Sequence, residues 1–501
     1  MARSIWMVAA EAAPLAQVGG LGDVLHGLPA ALARAGFRVR RFLPAYGSID
    51  RQGFVPEEEN FAVALGPART PVRLLSRREP GGVLTTLVLC EELFAREGIY
   101  GTPGGEYPDN ARRFALLSRA VWERARRSDD PPDILHAHDW HAAPVPLFAR
   151  LPPGRGARPR GVLTVHNLGY QGRFAAEEID WLSLSGPERA RLFRPEVQED
   201  DGGVNFLKVG IACADRITTV SPRHAEEILT PEFGFGLDGL LRGRREALRG
   251  ILNGADYDSW DPANDRCLPR PYGPDGLEAK AEAARALRER FGLRRSGRPL
   301  IGALGRLARQ KGFDVLAAAA PGILDLDADL VLVGSGDLSL ETRLRDLADG
   351  LAGRVGVRLG FDMELAHLLV GGCDLLVVPS RYEPCGLVQM YALRYGTPPV
   401  VHRTGGLADT VLDEDDHPGR GTGFAFDGLT PESLVGAVRR ALRHRAGDPY
   451  AWRALQRRSM AADFSWDRAA REYAALYEGL MAEPVSTLPK FVSQISDNPV
   501  E

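Results

Sequence analysis

The part of the chain that says most about its fold is the stretch 374–409, DLLVVPSRYEPCGLVQMYALRYGTPPVVHRTGGLAD. Its apolar start, Asp374 to Pro379, predicts a buried strand, and a polar loop that carries Glu383 follows. A second short apolar segment, Pro399 to His402, predicts another strand, which runs into a glycine turn at 404–406. Strand, loop, helix and strand succeed one another here as they do in a doubly wound α/β domain.

The same stretch combines two features that suit a nucleotide-activated sugar. Bare backbone N–H groups at the start of the helix predicted after Thr404, Gly405 and Gly406 would suit a phosphate group. The carboxylate of Glu383, one strand away, is of the type that holds sugar hydroxyls. A TGGL turn alone is usually structural, so the prediction of a sugar-nucleotide site rests on the two features together.

The composition limits the classes of protein to consider. With 501 residues the chain is long enough for two or three domains. A net charge of −4, with 26% charged residues, gives no sign of a nucleic-acid partner. The five cysteines are scattered and odd in number, which favours a reducing, cytoplasmic location without a disulfide framework. The sequence has no apolar run of about 18 residues, so we expect neither a membrane span nor a signal peptide.

Lysine is rare in this chain. Only four of the 62 basic residues are lysines, namely Lys208, Lys280, Lys311 and Lys490. A lysine within a candidate site therefore indicates a need for a compact ammonium group that a planar guanidinium does not meet. Lys311 lies in such a place, in the loop GRLARQKGFD that follows a strand predicted over Leu300 to Leu304, and Arg306 lies near the start of that loop.

The N-terminal region shows another strand, glycine loop and helix. Ile5 to Ala10 predicts a strand, the loop EAAPLAQVGGLGD follows, and an apolar-periodic helix is predicted from about Val24 to Ala35. Gly19 and Gly20 would let backbone N–H groups approach a phosphate or a sugar. Asp23 has two candidate roles, capping the helix or binding a sugar hydroxyl, and the spacing leaves both open.

A strand predicted at 134–137 runs directly into a polar and aromatic cluster, which consists of His138, Asp139, Trp140 and His141. Ligands bind at the carboxyl ends of strands in open α/β sheets. Histidines 136, 138 and 141 suggest a metal site as an alternative, but no carboxylate stands at a suitable spacing, so no metal is predicted. A further strand at 161–165 ends in HNLGYQG, which begins with His166.

These motifs, together with YPDNARRF at 107–114, resemble those of the glycogen and starch synthases, and the resemblance covers nearly the whole chain. The segment ILNGADYDSWDP at 251–262 predicts a domain boundary, because apolar strand character gives way there to Asn, Gly, Asp and Pro. It implies an α/β fold of the GT-B type, in which two Rossmann-like, doubly wound domains face each other across a cleft. We expect an N-terminal domain on the acceptor side at 1–253 and a C-terminal domain on the donor side at 264–462. A terminal helix at 463–482 should cross back to the first domain, and 483–501 should form a flexible tail.

The resemblance also implies a reaction. Glucose would pass from ADP-glucose to the non-reducing 4-hydroxyl of an α-1,4-glucan, glycogen, with retention of configuration and without a cofactor. Departure of the diphosphate develops negative charge, so fixed cations would stabilise the transition state more than the ground state. The residues implied as catalytic are Glu383, Arg306, Lys311, His166 and Asp23. Those implied in donor binding are Gln17, Gly19, Gly20, Asn253, Cys385, Gly386, Leu387, Thr404, Gly405 and Gly406. Those implied in acceptor or sugar binding are Glu11, Asp139, Trp140, His141 and Tyr100.

Position 17 departs from the family pattern, since a lysine normally stands there and this chain has Gln17. A neutral amide cannot offset the charge of a diphosphate, which motivates a second hypothesis: a degenerate sugar-nucleotide or glucan-binding protein with weak or no turnover. A phosphorylase would need a Schiff-base lysine for pyridoxal phosphate, and none of the four lysines has such a setting. A glycoside hydrolase would need a carboxylate pair across the scissile bond, which the motifs do not offer.

Overall fold

The computed structural model describes residues 2–57, 60–102, 104–154, 157–192, 199, 201–360 and 362–485. The chain divides into two compact units: unit 1 comprises Met1–Gly254 and Trp466–Glu501, and unit 2 comprises Ala255–Ser465. The predicted flexible tail, 483–501, lies outside the described residues from position 486 onward. Within the described ranges, no helix combines the length and the apolar character that a bilayer crossing requires.

Unit 1 is built on a large sheet with helices packed against it. Its strands are β1 (Ser4–Val8), β2 (Arg38–Pro44), β3 (Val55–Pro56), β4 (Phe61–Leu65), β5 (Ala68–Arg78), β6 (Leu84–Leu89), β7 (Gly101–Thr102), β8 (Gly105–Glu106), β9 (Ile134–His138), β10 (Arg160–Val165), β11 (Arg173–Phe174), β12 (Val204–Asn205), β13 (Arg216–Thr219) and β14 (Leu248–Gly250). Its helices up to Gly254 are α1 (Gly20–Arg34), α2 (Glu91–Phe94), α3 (Asn110–Arg127), α4 (Asp139–Ala142), α5 (Pro144–Phe148), α6 (Gly186–Leu192), α7 (Phe206–Cys213), α8 (Pro222–Glu227) and α9 (Asp238–Gly243), with 3₁₀ turns at Ala176–Leu182 and Arg245–Ala247.

The main sheet of unit 1 has the strand order of a Rossmann fold. In the part of the chain that is described, ten strands follow the order β14-β13-β10-β9-β1-β2-β6-β5-β3, with β4 paired to β5. All neighbours from β14 to β6 are parallel, whereas β3, β4 and β5 add antiparallel pairs at one side. Counted along the chain, the parallel strands have the order 3-2-1-4-5-6-7, which is the Rossmann order extended by one strand.

The strand order places a switch point between β1 and β9. Ligands of open α/β sheets bind outside the carboxyl ends of strands at such a point, where the order reverses. Strand β1 ends at Val8, shortly before Glu11, and β9 ends at His138, directly before Asp139. The topology therefore brings together two segments that sequence analysis singled out separately.

Helix α1 begins at Gly20, four residues earlier than the start predicted near Val24. Glycine has a low helix propensity, which is why the segment GLGD was expected to be a loop. In the structure this segment forms the first turn, because Leu21 and Gly22 are buried and continue the apolar face of the helix. The side chain of Asp23 lies in this turn, where a negative charge is favourable near the positive end of the helix dipole.

Unit 2 has a sheet of purely parallel strands. The strands are β15 (Leu300–Leu304), β16 (Asp329–Gly334), β17 (Val355–Leu359), β18 (Leu375–Val378), β19 (Pro399–His402) and β20 (Phe424–Phe426). The helices are α10 (Lys280–Arg290), α11 (Phe313–Leu324), α12 (Leu338–Gly350), α13 (Met363–Gly372), α14 (Val388–Arg394), α15 (Gly405–Thr410), α16 (Pro431–Gly447) and α17 (Pro449–Ala461), with 3₁₀ turns at Leu277–Ala279 and Arg309–Lys311.

The order of this second sheet, β17-β16-β15-β18-β19-β20, is 3-2-1-4-5-6 along the chain, as in a Rossmann fold. Its switch point lies between β15 and β18. The loop after β15 carries Arg306 and Lys311, and the loop after β18 carries Glu383. Residues that are far apart in sequence are therefore placed at one crevice of unit 2 by the topology.

The last helix of the described chain, α18 (Trp466–Ala482), belongs to unit 1. It packs along α1 and buries Tyr473 and Tyr477 in the core of that unit. The hydroxyl of Tyr477 lies 2.7 Å from Nδ1 of His136 on β9. This contact joins the end of the chain to the middle of the first sheet.

The buried Lys280, at the start of α10, caps the carboxyl-terminal ends of two helices. Its Nζ donates to the carbonyl oxygens of Gly371 on α13 (2.7 Å) and of Tyr395 just after α14 (3.2 Å), and to Oγ1 of Thr397 (2.6 Å). The last carbonyls of a helix have no partner within the helix, so the ammonium group satisfies them. Burial lowers the pKa of Lys280 from 10.5 to about 8.

Replacing Lys280 with methionine is expected to destabilise the protein by about 1 to 3 kcal/mol, because buried carbonyl groups lose their donor. Between pH 8 and 10.5 the unfolded chain binds a proton that the folded chain has released, since the folded pKa is the lower one. The contribution of Lys280 to stability therefore rises with pH through this window. Urea unfolding midpoints of both proteins, measured near neutral pH and again inside the window, should differ more at the higher pH.

The matched control is Arg285→Met, which removes an exposed charge from the same helix. The difference in urea midpoint between Arg285→Met and wild type should be the same at both pH values. A difference between wild type and Lys280→Met that stays constant or narrows as the pH rises would contradict the prediction.

Candidate active site

In unit 1, the buried carboxylate of Glu11 organises the loop after β1. Its Oε2 accepts hydrogen bonds from the backbone N–H groups of Val18 (2.7 Å) and Gly19 (2.9 Å), and its Oε1 accepts one from the hydroxyl of Tyr100. Glu11 was predicted to bind sugar. In this structure both of its oxygens hold protein groups, so the carboxylate positions the glycine loop and the Tyr100 ring.

Gln17 and Asp23 face each other across the same loop. Nε2 of Gln17 donates to Oδ1 of Asp23 (2.9 Å) and lies 3.4 Å from the carbonyl oxygen of Gly19. A Cβ at position 22 would lie 2.7 Å from Cγ of Gln17, so only Gly22 allows the side chain to cross the first turn of α1. The sequence left capping or sugar binding open for Asp23; the structure shows a contact with Gln17 instead of a cap, and the N-cap is Gly19.

The loop after β9 places Asp139 beside the loop after β10. Asp139 has a left-handed backbone (φ 57°), which aspartate tolerates better than most residues. Its Oδ1 accepts the backbone N–H of His166 at 2.7 Å. Burial raises the pKa of Asp139 to about 7, although hydrogen bonds from the His166 and Asn167 backbones act in the opposite direction. Asp139 therefore positions the segment that carries His166.

Trp140 and His141 pack into an aromatic cluster of unit 1. Their ring centroids are 4.0 Å apart, and the His141 ring stacks on Tyr100 at 4.7 Å. Both side chains are buried, at 7% and 6% exposure, so they pack in the interior of unit 1 after the carboxyl end of β9. Their predicted contact with the acceptor stays a prediction.

His166 is half-buried at the end of β10, and its Nε2 lies 3.0 Å from Nδ1 of His138. Burial lowers the pKa of His166 to about 3, so the ring is neutral at physiological pH. His136 contacts two hydroxyl groups, with Nδ1 against Tyr477 (2.7 Å) and Nε2 against Thr164 (2.6 Å). Both ring nitrogens of His136 thus have partners, so this residue offers no free nitrogen to a metal ion. The expectation that the three histidines bind no metal stays a prediction.

Asn253 follows β14, at the end of the first segment of unit 1. Its side chain is 7% exposed, and its Oδ1 has no hydrogen-bond partner among the described residues. The part of the structure that is described shows no hydrogen bond from this side chain to the other predicted site residues of unit 1. Its assignment to donor binding stays a prediction.

The centre of the site in unit 2 is an ion pair between two residues predicted as catalytic. Nζ of Lys311 lies 2.6 Å from Oε2 of Glu383. The hydroxyl of Ser380 donates to the same oxygen at 2.9 Å. Glu383 is 5% exposed, whereas the side chain of Lys311 is 25% exposed. The ammonium group therefore lies between a buried carboxylate and the solvent at the carboxyl ends of the strands.

The loop that carries Lys311 is tied to the loop that carries Glu383. Arg381 pairs with Asp314 through two contacts of 2.7 and 2.6 Å, and its backbone N–H donates to the carbonyl oxygen of Gln310 at 2.8 Å. Nε2 of Gln310 donates to the carbonyl oxygen of Tyr382 at 3.2 Å. These contacts hold the ammonium and the carboxylate at a fixed separation.

Arg306 differs from Lys311 in its surroundings. Its side chain is exposed, and within the described residues its guanidinium has no ion pair or hydrogen bond. It lies in the loop after β15, at the switch point of the sheet of unit 2. A guanidinium in this position keeps its five donors for an anion from solution.

The turn at 404–406 corrects one part of the sequence-based expectation. The N–H of Thr404 donates to the carbonyl oxygen of His402 and that of Gly406 to the carbonyl oxygen of Glu383, both at 2.9 Å. A Cβ on Gly406 would lie 2.1 Å from the carbonyl oxygen of Cys385, so glycine is what lets the two loops meet. The prediction that these N–H groups are bare is wrong for Thr404 and Gly406, whose N–H groups bond to carbonyl oxygens within unit 2.

The remaining predicted donor residues, Cys385, Gly386 and Leu387, lie in the loop between β18 and α14. Cys385 is buried, Gly386 has a left-handed backbone (φ 74°), and Leu387 is the N-cap residue of α14. Gln389 donates to the carbonyl oxygens of Cys385 (3.1 Å) and Gly386 (2.9 Å). The loop is therefore preorganised, and its predicted contacts with a donor stay predictions.

One group of side chains in unit 2 has the composition of a metal site. Ligand atoms of Asp265, Cys267 and His367 lie within 4.8 Å of one another. However, Oδ2 of Asp265 accepts from Nδ1 of His367 (2.9 Å) and from the hydroxyl of Tyr395 (2.6 Å). The carboxylate and the imidazole satisfy each other, which accounts for the group as a structural network. The expectation that no metal is bound stays a prediction.

Comparison with known proteins decides the family. Residues 4–243 match the family described as the starch synthase catalytic domain, and residues 287–455 match the family of glycosyl transferases group 1. The glycogen synthase of Alkalilimnicola ehrlichii is 46% identical over 483 residues, which cover 94% of this chain and 98% of that protein. The glycogen synthase of Anaeromyxobacter dehalogenans is also 46% identical, over 95% of this chain and 99% of that protein. The chain belongs to the glycogen synthase family of glycosyltransferases.

One solved structure agrees with this membership, and a second agrees with the fold alone. The catalytic domain of starch synthase IV from Arabidopsis thaliana, bound to ADP and acarbose, matches with a TM-score of 0.87 and 33% identity over 96% of this chain and 100% of that chain. Sucrose-phosphate synthase from Thermosynechococcus elongatus, at 21% identity and a TM-score of 0.59, shares the fold. The predicted resemblance and the GT-B fold are confirmed. The hypothesis of a degenerate binding protein is not favoured.

Sequence reasoning missed several residues that support the site of this glycogen synthase family member. His138 was seen as part of a cluster but not paired with His166, and Ser380, Gln310 and Arg381 were not assigned at all. Ser380 and Glu383 are three residues apart at the end of β18, which is the one signal that could have linked them. The contacts of Arg381 and Gln310 join positions 67 and 72 residues apart, and His138 and His166 are 28 residues apart, so no local pattern reveals them.

Substitution of lysine for Gln17 is expected to raise kcat/KM for ADP-glucose. The attraction between the new ammonium and a phosphate of the donor, at about 4 Å and an effective dielectric near 20, is worth roughly 4 kcal/mol. After desolvation we expect a net gain of about 1 to 2 kcal/mol, which corresponds to a roughly 5- to 30-fold higher kcat/KM. Asp23 would accept from the new ammonium as it now does from the amide, which places the expected gain at about 5-fold. Steady-state kinetics with Gln17→Met as the neutral control measure the effect. A loss of rate with intact folding would show that the loop is built around the amide.

Proposed function

We propose that this protein is a glycogen synthase that transfers the glucosyl group of ADP-glucose to the non-reducing 4-hydroxyl of an α-1,4-glucan, with retention of configuration, in the cytoplasm. The observation that carries the proposal is the Lys311–Glu383 ion pair at the switch point of unit 2. The loop that carries Lys311 also carries Arg306, whose guanidinium has no partner among the described residues. The relative from Arabidopsis was solved with ADP and acarbose, a nucleoside diphosphate and an oligosaccharide analogue, which supports both substrate classes. None of the five cysteines, all of which lie within the described residues, forms a disulfide, which supports a reducing location.

The difficult step is departure of the diphosphate. As the bond between the anomeric carbon and the phosphate oxygen breaks, negative charge builds on that oxygen while the sugar becomes oxocarbenium-like. Two cations would meet this charge: the exposed Arg306, which has no partner in the described part of the chain, and Lys311. Because the loop network already fixes the position of Lys311, little reorganisation accompanies the reaction, and that is the condition under which electrostatic stabilisation is strongest.

Glu383 is proposed to hold the hydroxyls of the transferred glucose. Its Oε2 is engaged by Lys311 and Ser380, and no hydrogen bond to its Oε1 is found among the described residues. A buried carboxylate oxygen is a strong acceptor for sugar hydroxyls. With retention, the acceptor oxygen bonds to the face that the diphosphate leaves, and the proton of the acceptor hydroxyl passes to the departing phosphate oxygen.

Incorporation of radiolabelled glucose into glycogen primer tests the proposal directly, with ADP-glucose and UDP-glucose compared side by side. We expect incorporation with ADP-glucose, with the smaller rate for UDP-glucose. Binding of ADP-glucose without incorporation would instead support the degenerate binding protein that Gln17 suggested.

Arg306→Ala is expected to lower kcat by roughly 10²-fold or more, the effect of removing one donor that stabilises the charge of the transition state. Because the guanidinium is exposed and has no partner among the described residues, its loss should leave the unfolding midpoint unchanged. The variant therefore separates catalysis from stability cleanly. Turnover close to that of wild type would remove Arg306 from the mechanism.

A further inference from the structure

His138 and His166 form a hydrogen-bonded pair of imidazoles at the carboxyl ends of two adjacent strands. Nδ1 of His138 lies 3.0 Å from Nε2 of His166. Strands β9 and β10 are parallel neighbours, which is why residues 28 positions apart meet at this edge. The family resemblance implies a catalytic role for His166, whereas His138 has no role in the mechanism proposed above.

Both rings are neutral. Burial lowers the pKa of His166 to about 3, and burial together with His136 and His166 lowers the pKa of His138 well below its ordinary value. Two neutral imidazoles share one proton in their hydrogen bond. The question is which of the two rings donates it, because each neutral ring carries a single N–H.

The second nitrogen of His138 decides the direction of the hydrogen bond. His138 is 0% exposed, and its Nε2 has no hydrogen-bond partner among the described residues. If His166 donated, His138 would carry its proton on Nε2, which would be a buried N–H without an acceptor. Such orphaned donors are rare in native proteins, whereas an acceptor without a donor is more often tolerated. The proton of the pair therefore belongs to Nδ1 of His138.

The direction of this bond sets the tautomer of the second ring. With Nε2 of His166 accepting, the single proton of that ring resides on Nδ1. In the described residues, no hydrogen bond engages Nδ1 of His166, and the ring is half-buried at the edge of the sheet. The backbone of His166 is held separately by Oδ1 of Asp139. His166 is thus fixed both in position and in its donor pattern.

We infer that His138 is a positioning residue, which holds His166 as a donor through Nδ1 toward a hydroxyl oxygen of the bound sugar. The identity of the ligand rests on the proposed function, whereas the tautomer does not. His138 acts through His166 and does not itself touch the substrate, in the way that residues behind a functional imidazole set its orientation in many sites.

The tautomer can be read directly by ¹⁵N NMR of histidine-labelled protein without substrate. Protonated and bare imidazole nitrogens have well separated ¹⁵N resonances, and the His166 signals are identified by their loss in a His166→Ala sample. We expect a protonated Nδ1 and a bare Nε2 for His166. A wild-type spectrum with the proton on Nε2 of His166 overturns the inference, whatever the variants do.

Two substitutions at position 138 test the consequence for turnover. His138→Asn can keep an amide donor near the position of Nδ1, and we expect it to retain activity within about threefold of wild type. His138→Asp offers an acceptor instead, which should move the proton of His166 to Nε2 and lower kcat by about 10- to 100-fold, the range seen when a residue that orients a functional imidazole is removed. Thermal unfolding of both variants checks that the fold is retained.

The outcomes separate this inference from the proposed reaction. Equal activities of folded His138→Asn and His138→Asp would contradict a positioning role through the tautomer. If neither variant folds, the wild-type spectrum still decides the direction of the hydrogen bond. If wild type shows no glucosyl transfer but has the expected spectrum, the proposed function fails while the assignment of the tautomer stands.

Discussion

Lys311→Ala is expected to lower kcat for glucosyl transfer by about 10²- to 10³-fold, with a smaller effect on KM for ADP-glucose. The ammonium lies at the carboxyl ends of the strands of unit 2, and Glu383 holds it at 2.6 Å. It is therefore in place before the reaction begins. An interaction that strengthens as charge develops on the leaving oxygen lowers the barrier rather than the ground state. Initial rates with glycogen primer, at saturating and at limiting ADP-glucose, separate the two parameters.

Two further variants make this test specific. Lys311→Arg should recover only part of the activity, because a planar fork does not replace a point charge at 2.6 Å from a buried carboxylate. Arg309→Ala removes an exposed cation from the same turn and should leave kcat within about twofold of wild type. Near-normal turnover of Lys311→Ala, or an equal loss in Arg309→Ala, would exclude a specific role for the ammonium.

Glu383→Gln is the second variant with a large expected effect, a loss of at least about 10²-fold in kcat. The amide keeps the size of the side chain and can still accept from Ser380. It lacks the charge that holds Lys311, and the charge-assisted bond that a carboxylate would make to a sugar hydroxyl. The fold should be retained, since Gly406 bonds to the backbone carbonyl of Glu383, which the substitution does not alter.

The chain offers a closely matched control for this variant. Glu414 and Arg458 form another partly buried ion pair of unit 2, at 2.7 Å, with side chains 12% and 27% exposed, against 7% and 25% for Glu383 and Lys311. Glu414→Gln should therefore have a similar effect on the unfolding midpoint and almost none on turnover. If Glu383→Gln unfolds the protein while Glu414→Gln does not, Glu383 is a structural residue and its assignment to catalysis fails.

Local sequence patterns predicted the elements of unit 2 well. The predicted strands Leu300 to Leu304 and Pro399 to His402 match β15 and β19 at both ends. Short apolar runs bounded by polar and glycine residues define buried parallel strands, because such strands are covered on both faces.

The start of α1 in unit 1 was predicted four residues late, since the burial of Leu21 and Gly22 depends on tertiary contacts that outweigh the low helix propensity of glycine.

The sequence by itself determined the alternation of strands and helices, the family resemblance and the types of residue at the strand ends. The tertiary structure alone decided which polar groups are already paired. Glu11 holds backbone N–H groups, Lys311 holds Glu383, and the N–H of Gly406 bonds within unit 2. The guanidinium of Arg306, by contrast, has no ion pair or hydrogen bond among the described residues. The physical reason is that apolar periodicity is a local property, while a hydrogen bond requires donor and acceptor within about 3 Å, and only the order of the strands brings distant residues that close.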